Sequence, residues 1–405
     1  MVANVRVFLF VNAIIFVYIC NLFVIVVFKF DFFMEKQNQQ PVRLQSLDAL
    51  RGFDMLFIMG GGALLVALAT MFPIPFFQAI AEQTSHVEWN GCHMEDMIFP
   101  TFLFIAGISF PFSLEKQRLS GKSEGDILRK IVRRGLTLVF LGIVYNGLLD
   151  FDFSTQRYAS VLGRIGLAWM CAALLFVYAR TRTRAIVAVA ILVGYWLLLR
   201  FVPAPDAAGA DSLTMEGCLV GYVDRLLLPG RLHLTIHDPE GLLSTLPAVV
   251  TAMLGMFTGE FIKLKKEGLG ETRKVAVLAT AGVGLVAVGL IWNLFFPINK
   301  QIWSSSFVCF VGGISTLLFA LFYYVIDVKN HRRWTLFFRV IGMNSITIYL
   351  AQHFIRFSYT NQALFGGLSK LVPESAGPFV LAVGYIAVCW GFLYVLYKQR
   401  IFLKV

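Results

Sequence analysis

Charged residues are scarce in this sequence. Only 15% of its 405 residues are Asp, Glu, Lys or Arg, whereas 58% are hydrophobic, and the mean hydropathy is +0.73. A soluble domain has about a quarter charged and close to half apolar residues. The scarcity of charge therefore excludes an ordinary soluble protein and indicates an integral membrane protein with many spans.

Paired cysteines are also lacking. The six cysteines stand singly, and no two form a CxxC pair. Disulfide frameworks and structural zinc sites need paired or closely spaced cysteines, so we expect neither. His93, Glu95 and Asp96 make only a short H-x-E-D string, with no further ligand at a recognised spacing. We therefore expect no metal in the functional site.

Long apolar runs fill most of the chain. Runs of roughly 17–25 apolar residues are long enough to span a bilayer as helices. The sequence therefore predicts an all-α fold, a polytopic membrane helix bundle of about ten core transmembrane helices plus one N-terminal hydrophobic helix. The predicted spans are 7–28, 52–72, 97–114, 135–153, 158–179, 185–202, 243–263, 275–296, 303–326, 335–357 and 377–397.

The first predicted span belongs to an N-terminal hydrophobic segment and linker, residues 1–42, ahead of a transmembrane domain at 43–405. This span lacks a small-residue cleavage site, which argues against a cleaved signal peptide. It is either a true extra helix or upstream sequence joined by a misassigned start. In the second case Met34 is the initiator.

The net charge of +11 is concentrated in alternate loops. The basic loops are 115–134, 180–184, 263–274, 329–333 and 398–404. The intervening loops, poor in Lys and Arg, are 73–96, 154–157, 203–242, 297–302 and 358–376. The positive-inside rule places basic loops in the cytoplasm. It therefore accounts for the charge without nucleic-acid binding.

Ionisable side chains gather just before the third predicted span, in the stretch SHVEWNGCHMEDMIFPTFLFIAG at 85–107. Such groups are costly at the mouth of a membrane helix and suggest a site. His86 is the leading candidate, because an imidazole accepts a proton near neutral pH and can act as a nucleophile. A solvated loop histidine is the alternative. Trp89 is suited to shelter the site, and Asn90 to donate a hydrogen bond.

Polar residues also stand inside other spans. Asp48, Arg51 and Asp54 follow an i, i+3, i+6 spacing, which suits either an internal ion pair or the presentation of Arg51 to a phosphate. Arg164 lies within an apolar run and needs an anion, a carboxylate or a water-filled cavity. Further polar residues stand at other helix mouths, in another span and in the long loop 203–242. They are Asn299, Lys300, Trp303, Asn344, Asp238 and Glu240. Polar residues in several helices predict a polar cavity through the bundle.

Six segments resemble the transmembrane acyltransferases related to heparan-alpha-glucosaminide N-acetyltransferase, in particular their bacterial branch. The segments occur in family order from about residue 43 to the end of the chain. They are RLQSLDALRGFD, SHVEWNGCHMEDMIFPTFLFIAG, SVLGRIG, HDPEGLLSTLPAVVTAMLGMFTG, NKQIWSSSF and GMNSITIYL. One departure stands before the triple glycine, where the lysosomal relative has an Asn and this chain has Ile58 and Met59.

The resemblance implies a reaction in which cytoplasmic acetyl-CoA donates its acetyl group across the membrane to an amino sugar or glycan. It implies residence in a bacterial inner membrane and contact with the lipid bilayer, and the relatives suggest a homodimer. His86 takes the place of the family's catalytic histidine, either as an acetyl carrier or as a general base.

The expected sites follow from this reaction. The expected catalytic residues are His86, Asn90 and Asp96. The expected acetyl-CoA-binding residues are Arg51, Asp48, Arg134 and Arg164, with Arg129 and Arg133 as further candidates for its phosphates. The expected acceptor-binding residues are Trp89, Asn299, Lys300, Trp303, Asp238, Glu240 and Asn344. A transporter of a small anion or sugar is the alternative function, since many helices with internal polar residues suit that class as well.

Overall fold

The computed structural model describes residues 44–207, 209–265 and 269–403. Within these ranges the secondary structure is helical, and the only β-pairing consists of two isolated bridges. The predicted all-α fold is confirmed. The predicted span 7–28 and Met34 lie outside the described residues.

The helices follow one another through short connections, apart from the segments 83–93, 146–160, 202–218, 228–244 and 293–304. In chain order they are α1 (Gln45–Leu56), α2 (Gly62–Met71), α3 (Pro75–Glu82), α4 (Met94–Leu119), α5 (Glu124–Tyr145), α6 (Val161–Tyr178), α7 (Thr181–Phe201), α8 (Leu219–Leu227), α9 (Thr245–Lys263), α10 (Glu271–Trp292), α11 (Ser305–Phe322), α12 (Thr335–Met343), α13 (Ser345–Phe354), α14 (Phe357–Ser369) and α15 (Gly377–Lys398).

Eight helical segments of the described chain are long and apolar enough to cross a membrane. The sequence predicted ten spans after residue 45. The other two correspond to α5, whose first half carries many charges, and to the pair α12 and α13, which a break at Asn344 divides. The chain is therefore a multi-pass membrane protein.

One boundary prediction was wrong. The segment 115–134 was expected to be a basic loop, but α4 continues to Leu119 and α5 already begins at Glu124. Ser123 caps α5 by accepting a hydrogen bond from the backbone N of Asp126 at 3.1 Å, and acidic residues fill the first turn, where the helix dipole favours them. The basic residues of this segment therefore project mostly from a helix.

Helices α4, α9 and α11 form the interior of the bundle. In each of these helices 61% to 67% of the apolar stretch is buried inside the protein, compared with 17% in α10 and 22% in α15. Glycines allow α4 and α9 to touch: a Cβ on Gly255 would lie 2.0 Å from the carbonyl oxygen of Phe104, and one on Gly259 would lie 2.3 Å from that of Ile108. These two glycines form a GxxxG pair, and this pair is therefore a packing face.

Two helices are interrupted inside the bundle. A π-helical segment, Phe57–Gly61, joins α1 to α2, and Gly60 within it has a φ of 115°, which favours glycine. The kink therefore lies at the first of three consecutive glycines, Gly60 to Gly62. The second interruption is at Asn344, between α12 and α13.

Candidate functional site

Asp96 organises the loop 83–93 that leads into α4. It occupies the first turn of the helix, and its Oδ2 accepts hydrogen bonds from the backbone N atoms of His93 at 3.0 Å and Val87 at 3.3 Å. An acidic side chain in this position satisfies backbone donors at the helix N-terminus. The carboxylate is only 1% exposed, so the loop folds around a buried negative charge.

His86 is held by the other oxygen of that carboxylate. Its Nδ1 lies 2.8 Å from Oδ1 of Asp96, while its side chain is 56% exposed. A carboxylate accepts a hydrogen bond from the neighbouring ring N–H and so favours the imidazole tautomer whose other nitrogen, Nε2, is free to accept a proton. His93 instead contacts the carbonyl oxygen of Ser85 at 3.0 Å. The structure therefore pairs Asp96 with His86 and gives His93 a contact within the loop.

Lys300 completes this cluster from a distant part of the chain. Its Nζ lies 3.3 Å from Oδ1 of Asp96 and 3.2 Å from Nδ1 of His86. Its side chain is mostly buried. The sequence predicted Lys300 as an acceptor-binding residue, but its contacts here are with Asp96 and His86. We call His86, Asp96 and Lys300 the histidine cluster.

Asparagines join the two loops that supply the cluster. Asn299 donates through Nδ2 to Oδ1 of Asn90 at 3.2 Å, and the backbone N of Gly91 donates to the carbonyl oxygen of Ile298 at 2.8 Å. Oδ1 of Asn299 accepts from the backbone N of Ile302 at 3.1 Å. Asn299 is fully buried, whereas Asn90 is exposed. Asn299 therefore fixes the loops, and Asn90 faces solvent beside the cluster.

Trp89 connects the same loop to the long segment 203–244. Its indole N–H donates to the carbonyl oxygen of Leu213 at 2.8 Å, and its ring meets the ring of His237 edge to face at 5.5 Å. His237 donates through Nε2 to the carbonyl oxygen of Gln301 at 2.9 Å. Burial lowers the pKa of His237 to about 4, so this imidazole is neutral at physiological pH.

Asp238 and Glu240 form ion pairs with Arg157. Nη2 of Arg157 lies 2.7 Å from Oδ1 of Asp238 and also contacts Glu240. Burial acts to raise the pKa of Asp238, but the hydrogen bonds and charge of Arg157 outweigh it and lower that pKa below its usual value. Both carboxylates were expected to bind the acceptor, and both lie in this pairing, which anchors the long loop to the segment before α6.

Arg164 and Trp303 lie beneath this loop. Arg164 donates through Nη2 to the carbonyl oxygen of Gly241 at 3.1 Å and to Oγ of Ser244, and its guanidinium lies 5.0 Å from the ring centroid of Trp303. Trp303 is 1% exposed and donates to Oγ1 of Thr251 at 3.1 Å. Arg164, expected to bind the donor, therefore packs with the same loop region as Asp238.

Arg51 and Arg134 lie elsewhere, among basic residues of α1 and α5. Arg51 donates through Nη2 to Oγ of Ser109 at 3.1 Å, and its Nη1 lies 3.8 Å from Oδ1 of Asp48. The guanidinium of Arg134 lies 4.4 Å from the ring centroid of Trp169, and its buried Nε has no hydrogen-bond partner. Arg129 is exposed, and its Nη1 lies 3.6 Å from Oδ1 of Asp126.

A comparison with known families now identifies the relationship. The family profile described as "Heparan-alpha-glucosaminide N-acetyltransferase, catalytic" matches residues 43–286, which is more than half of the chain. The chain belongs to this family.

Curated relatives in this heparan-alpha-glucosaminide N-acetyltransferase family agree. The heparan-alpha-glucosaminide N-acetyltransferase of Homo sapiens is 28% identical over 427 residues, covering 90% of this chain and 60% of the relative. That of Mus musculus is 27% identical over 437 residues, covering 93% and 62%. The chain thus spans less than two thirds of the length of these relatives. The resemblance seen in the sequence is confirmed, and the chain is a membrane protein of an acyltransferase family.

Several residues of this family member escaped prediction. Arg157 gave no sequence signal, because a single arginine in a loop is unremarkable until its partners are known. Asp224 on α8 is fully buried, and its Oδ1 accepts from the backbone N of Leu242 at 2.8 Å. Cys92 borders the histidine cluster, but burial and the charge of Asp96 raise its pKa to about 12. Cys92 is therefore a neutral thiol and a poor nucleophile at physiological pH.

Among the residues that the structure describes, no group of three or more His, Cys, Asp or Glu side chains is arranged to hold a metal ion.

Proposed function

We propose that this protein transfers the acetyl group of acetyl-CoA to the amino group of a sugar on the other side of the membrane. The observation that carries this proposal is the histidine cluster: an exposed imidazole whose Nδ1 lies 2.8 Å from a buried carboxylate. A base oriented in this way is what attack by an amine requires. The names of the relatives supply the acetyl group and the amino-sugar class of acceptor.

The chemistry follows from the free nitrogen of His86. The amine nitrogen attacks the thioester carbonyl, Nε2 of His86 takes the proton that nitrogen loses, the C–S bond breaks, and the thiolate of CoA receives that proton from the imidazolium. Asp96 stabilises the transient imidazolium. Asn90, whose amide is oriented by Asn299, donates to the oxyanion. In the alternative route Nε2 attacks the thioester carbonyl, the C–S bond breaks and CoA leaves as the thiolate; the amine then attacks the acetyl-imidazole, the C–Nε2 bond breaks, and the proton lost by the amine passes to the released imidazole.

The donor binds at the end of the bundle that holds Arg51 and Arg134. The unpartnered buried Nε of Arg134 fits an anionic ligand, and guanidinium groups pair well with phosphates. Asp48 orients Arg51. Arg164 also has unpartnered buried nitrogens, Nε and Nη1, but its Nη2 bonds to the loop at 241–244. We therefore assign Arg164 to support of that loop. We place the basic loops in the cytoplasm of a bacterial inner membrane.

The acceptor binds beside the histidine cluster at the opposite end. Lys300, Asp238 and Glu240 are engaged by other side chains, so we assign them to organisation of the site. Asn90 and the exposed edge of His86 are left to contact the sugar. Trp89 shields them, since its indole bridges this loop to Leu213.

Vesicles test the proposed sidedness. Purified protein is reconstituted into liposomes that enclose glucosamine, and labelled acetyl-CoA is added outside. We expect N-acetylglucosamine to accumulate inside vesicles whose basic loops face outwards, as established by proteolysis of those loops. No N-acetylglucosamine inside intact vesicles, together with transfer that appears once detergent opens them, would contradict transfer across the membrane.

Transport is the second candidate, and the two interrupted helices favour it. Broken helices near the middle of a bundle commonly mark the binding site of a secondary transporter. The same liposomes discriminate the two functions. Uptake of labelled sugar or anion without any acyl-CoA, together with no acetylated product, would support the transporter and exclude the transferase.

A further inference from the structure

Helix α5 carries arginines on two different faces. Arg134 turns towards the bundle, where its guanidinium lies over Trp169. Arg129 and Arg133 are exposed and stand one helical turn apart on another face. Within the described chain α5 packs mainly against α6. The face with Arg129 and Arg133 is therefore turned away from the bundle and from the arginines that we assign to the donor.

An open groove with a volume of about 510 Å³ runs along this outward face. Leu136 in its lining is 54% exposed and Phe140 is 58% exposed. The hydroxyl of Thr137 is bonded within the helix, because it donates to the carbonyl oxygen of Arg133 at 2.8 Å. The groove is therefore charged at one end and apolar along the rest. We call it the α5 groove, and its lining residues are Arg129, Val132, Arg133, Leu136, Thr137 and Phe140.

The charged end of the α5 groove lies in a region with an excess of positive charge. The segment 115–134 contains seven basic and three acidic residues. Arg129 has an acidic neighbour in Asp126 at 3.6 Å, but the two side chains are 83% and 56% exposed, so water weakens that pair. The adjacent Lys130 is subject to the positive charge of Lys122. A bound anion would relieve this repulsion.

The order of charged and apolar residues along α5 matches an anionic phospholipid. Phe140 lies about 10 Å beyond Arg133 along the helix, at 1.5 Å per residue. A phosphate at the arginines therefore places an acyl chain against Leu136 and Phe140. Basic pockets at the cytoplasmic side of membrane proteins commonly bind anionic head groups. A nucleotide supplies phosphates but no acyl chain to cover the apolar part.

Charge also argues against a second copy of this chain as the occupant. In a symmetric dimer the same face of both copies meets. Contact through the α5 groove would bring Arg129 and Arg133 of one copy towards the same positive face of its partner, and like charges repel. An anionic lipid carries the opposite charge.

We propose that the α5 groove binds an anionic phospholipid from the leaflet next to the basic loops. Arg129 and Arg133 pair with the phosphate of the head group, and one acyl chain lies along Leu136 and Phe140. This site lies outside the donor and acceptor sites and does not depend on the proposed reaction.

Two lipids with identical acyl chains separate the contribution of head-group charge from that of the chain. Full-length protein, purified and stripped of lipid in detergent, is titrated with phosphatidylglycerol or phosphatidylcholine, and bound lipids are counted by native mass spectrometry. The variants are Arg129→Gln, Arg133→Gln, their combination and Phe140→Ala. Arg182→Gln is the matched control, because Arg182 is exposed in the first turn of α7 and does not line the α5 groove. A melting curve confirms that each variant is folded.

We expect the wild type to prefer phosphatidylglycerol by roughly 25-fold, about fivefold for each arginine. Each single arginine variant should lose about fivefold of this preference, and the double variant should lose all of it. Phe140→Ala should weaken the binding of both lipids alike, because it removes contact with the chain only. Arg182→Gln should behave as the wild type. Phosphatidylglycerol should also raise the melting temperature of the wild type more than that of the double variant, since a ligand stabilises the state that binds it.

Three results would overturn the proposal. The first is equal affinity of the wild type for the two lipids, or a preference for phosphatidylglycerol that the double variant retains. The second is a loss of CoA affinity in the double variant, measured by calorimetry, with the lipid preference unchanged; this would assign the α5 groove to the phosphates of the donor. The third is a lipid-free dimer in the wild type that becomes a monomer in Phe140→Ala, which would make this face an interface between copies.

Discussion

Nδ1 of His86 lies 2.8 Å from Oδ1 of Asp96, which follows it by ten residues. The two are brought together by the turn that precedes α4, and the same carboxylate holds that turn through the backbone of Val87 and His93. One buried charge therefore both folds the loop and orients the imidazole. The proposed catalytic role of His86 depends on its contact with Asp96.

Asp96→Asn is expected to impair the chemical step. An asparagine amide in place of the carboxylate no longer stabilises the imidazolium and can favour the wrong tautomer of His86. Loss of the corresponding carboxylate in other histidine-dependent enzymes lowers kcat by as much as about 10⁴-fold. We expect a fall of at least roughly 100-fold in kcat with a smaller change in KM for acetyl-CoA. Glu95→Gln serves as a neighbouring acidic control, and a kcat unchanged in Asp96→Asn would contradict the role of Asp96.

Variants of Lys300 distinguish binding of the acceptor sugar from positioning of Asp96 and His86. Lys300 contacts Asp96 and His86 in the structure, so Lys300→Met should lower kcat while KM for the sugar stays within a few fold. Lys300→Arg should recover part of the rate, because it keeps the positive charge next to the carboxylate. Steady-state kinetics with varied sugar measures both parameters. A large rise in the KM for sugar with kcat intact would instead show that Lys300 binds the acceptor.

Arg157 is expected to stabilise the long loop. Removing one partner of a buried ion pair costs roughly 3–5 kcal/mol because it leaves the other charge uncompensated. Arg157→Met should therefore lower the melting temperature and speed proteolysis within 203–242. The double variant Arg157→Met, Asp238→Asn should recover part of the loss, since it removes the stranded charge. Equal melting and proteolysis of Arg157→Met and wild type would show that the pairing is not structural.

Asp224 gives the protein a pH-dependent stability. Burial raises its pKa to about 7, whereas an aspartate in an unfolded chain has a pKa of about 3.9. The folded state therefore binds the proton more tightly, and this contribution to stability is present below about pH 4 and is lost as the pH rises to about 7. We expect the melting temperature to fall between about pH 4 and about pH 7. In Asp224→Asn the fall should be smaller, and an equal fall would contradict this assignment.

Much of the fold follows from the sequence, because the bilayer restricts the chain to long apolar helices. Apolar length identified most spans to within a few residues. The end of α4 was missed because its last turns are charged, and hydropathy does not recognise a helix that continues beyond the apolar region. The break at Asn344 was missed because the few polar residues around it, Ser345 and Thr347 among them, stand within a long apolar run, and hydropathy averages over them.

The candidate site was less accessible to prediction. Sequence order and resemblance drew attention to His86 and to the polar residues around it. The contact between Lys300 and Asp96 joins residues about 200 positions apart and depends on how the loops fold over α4 and α11. The same applies to Asp238 and Glu240, whose charges suggested ligand binding until Arg157 was found between them. The sequence shows which polar groups are present, but only the folded structure shows which of them form ion pairs or hydrogen bonds with each other.

Acetyl transfer by purified protein tests the central claim most directly. Wild type and His86→Ala are incubated with labelled acetyl-CoA and glucosamine, with His93→Ala as the matched control from the same loop, and N-acetylglucosamine is quantified. We predict transfer by the wild type and by His93→Ala, and a loss of at least roughly 100-fold in His86→Ala. Equal transfer by His86→Ala and the wild type would contradict the account.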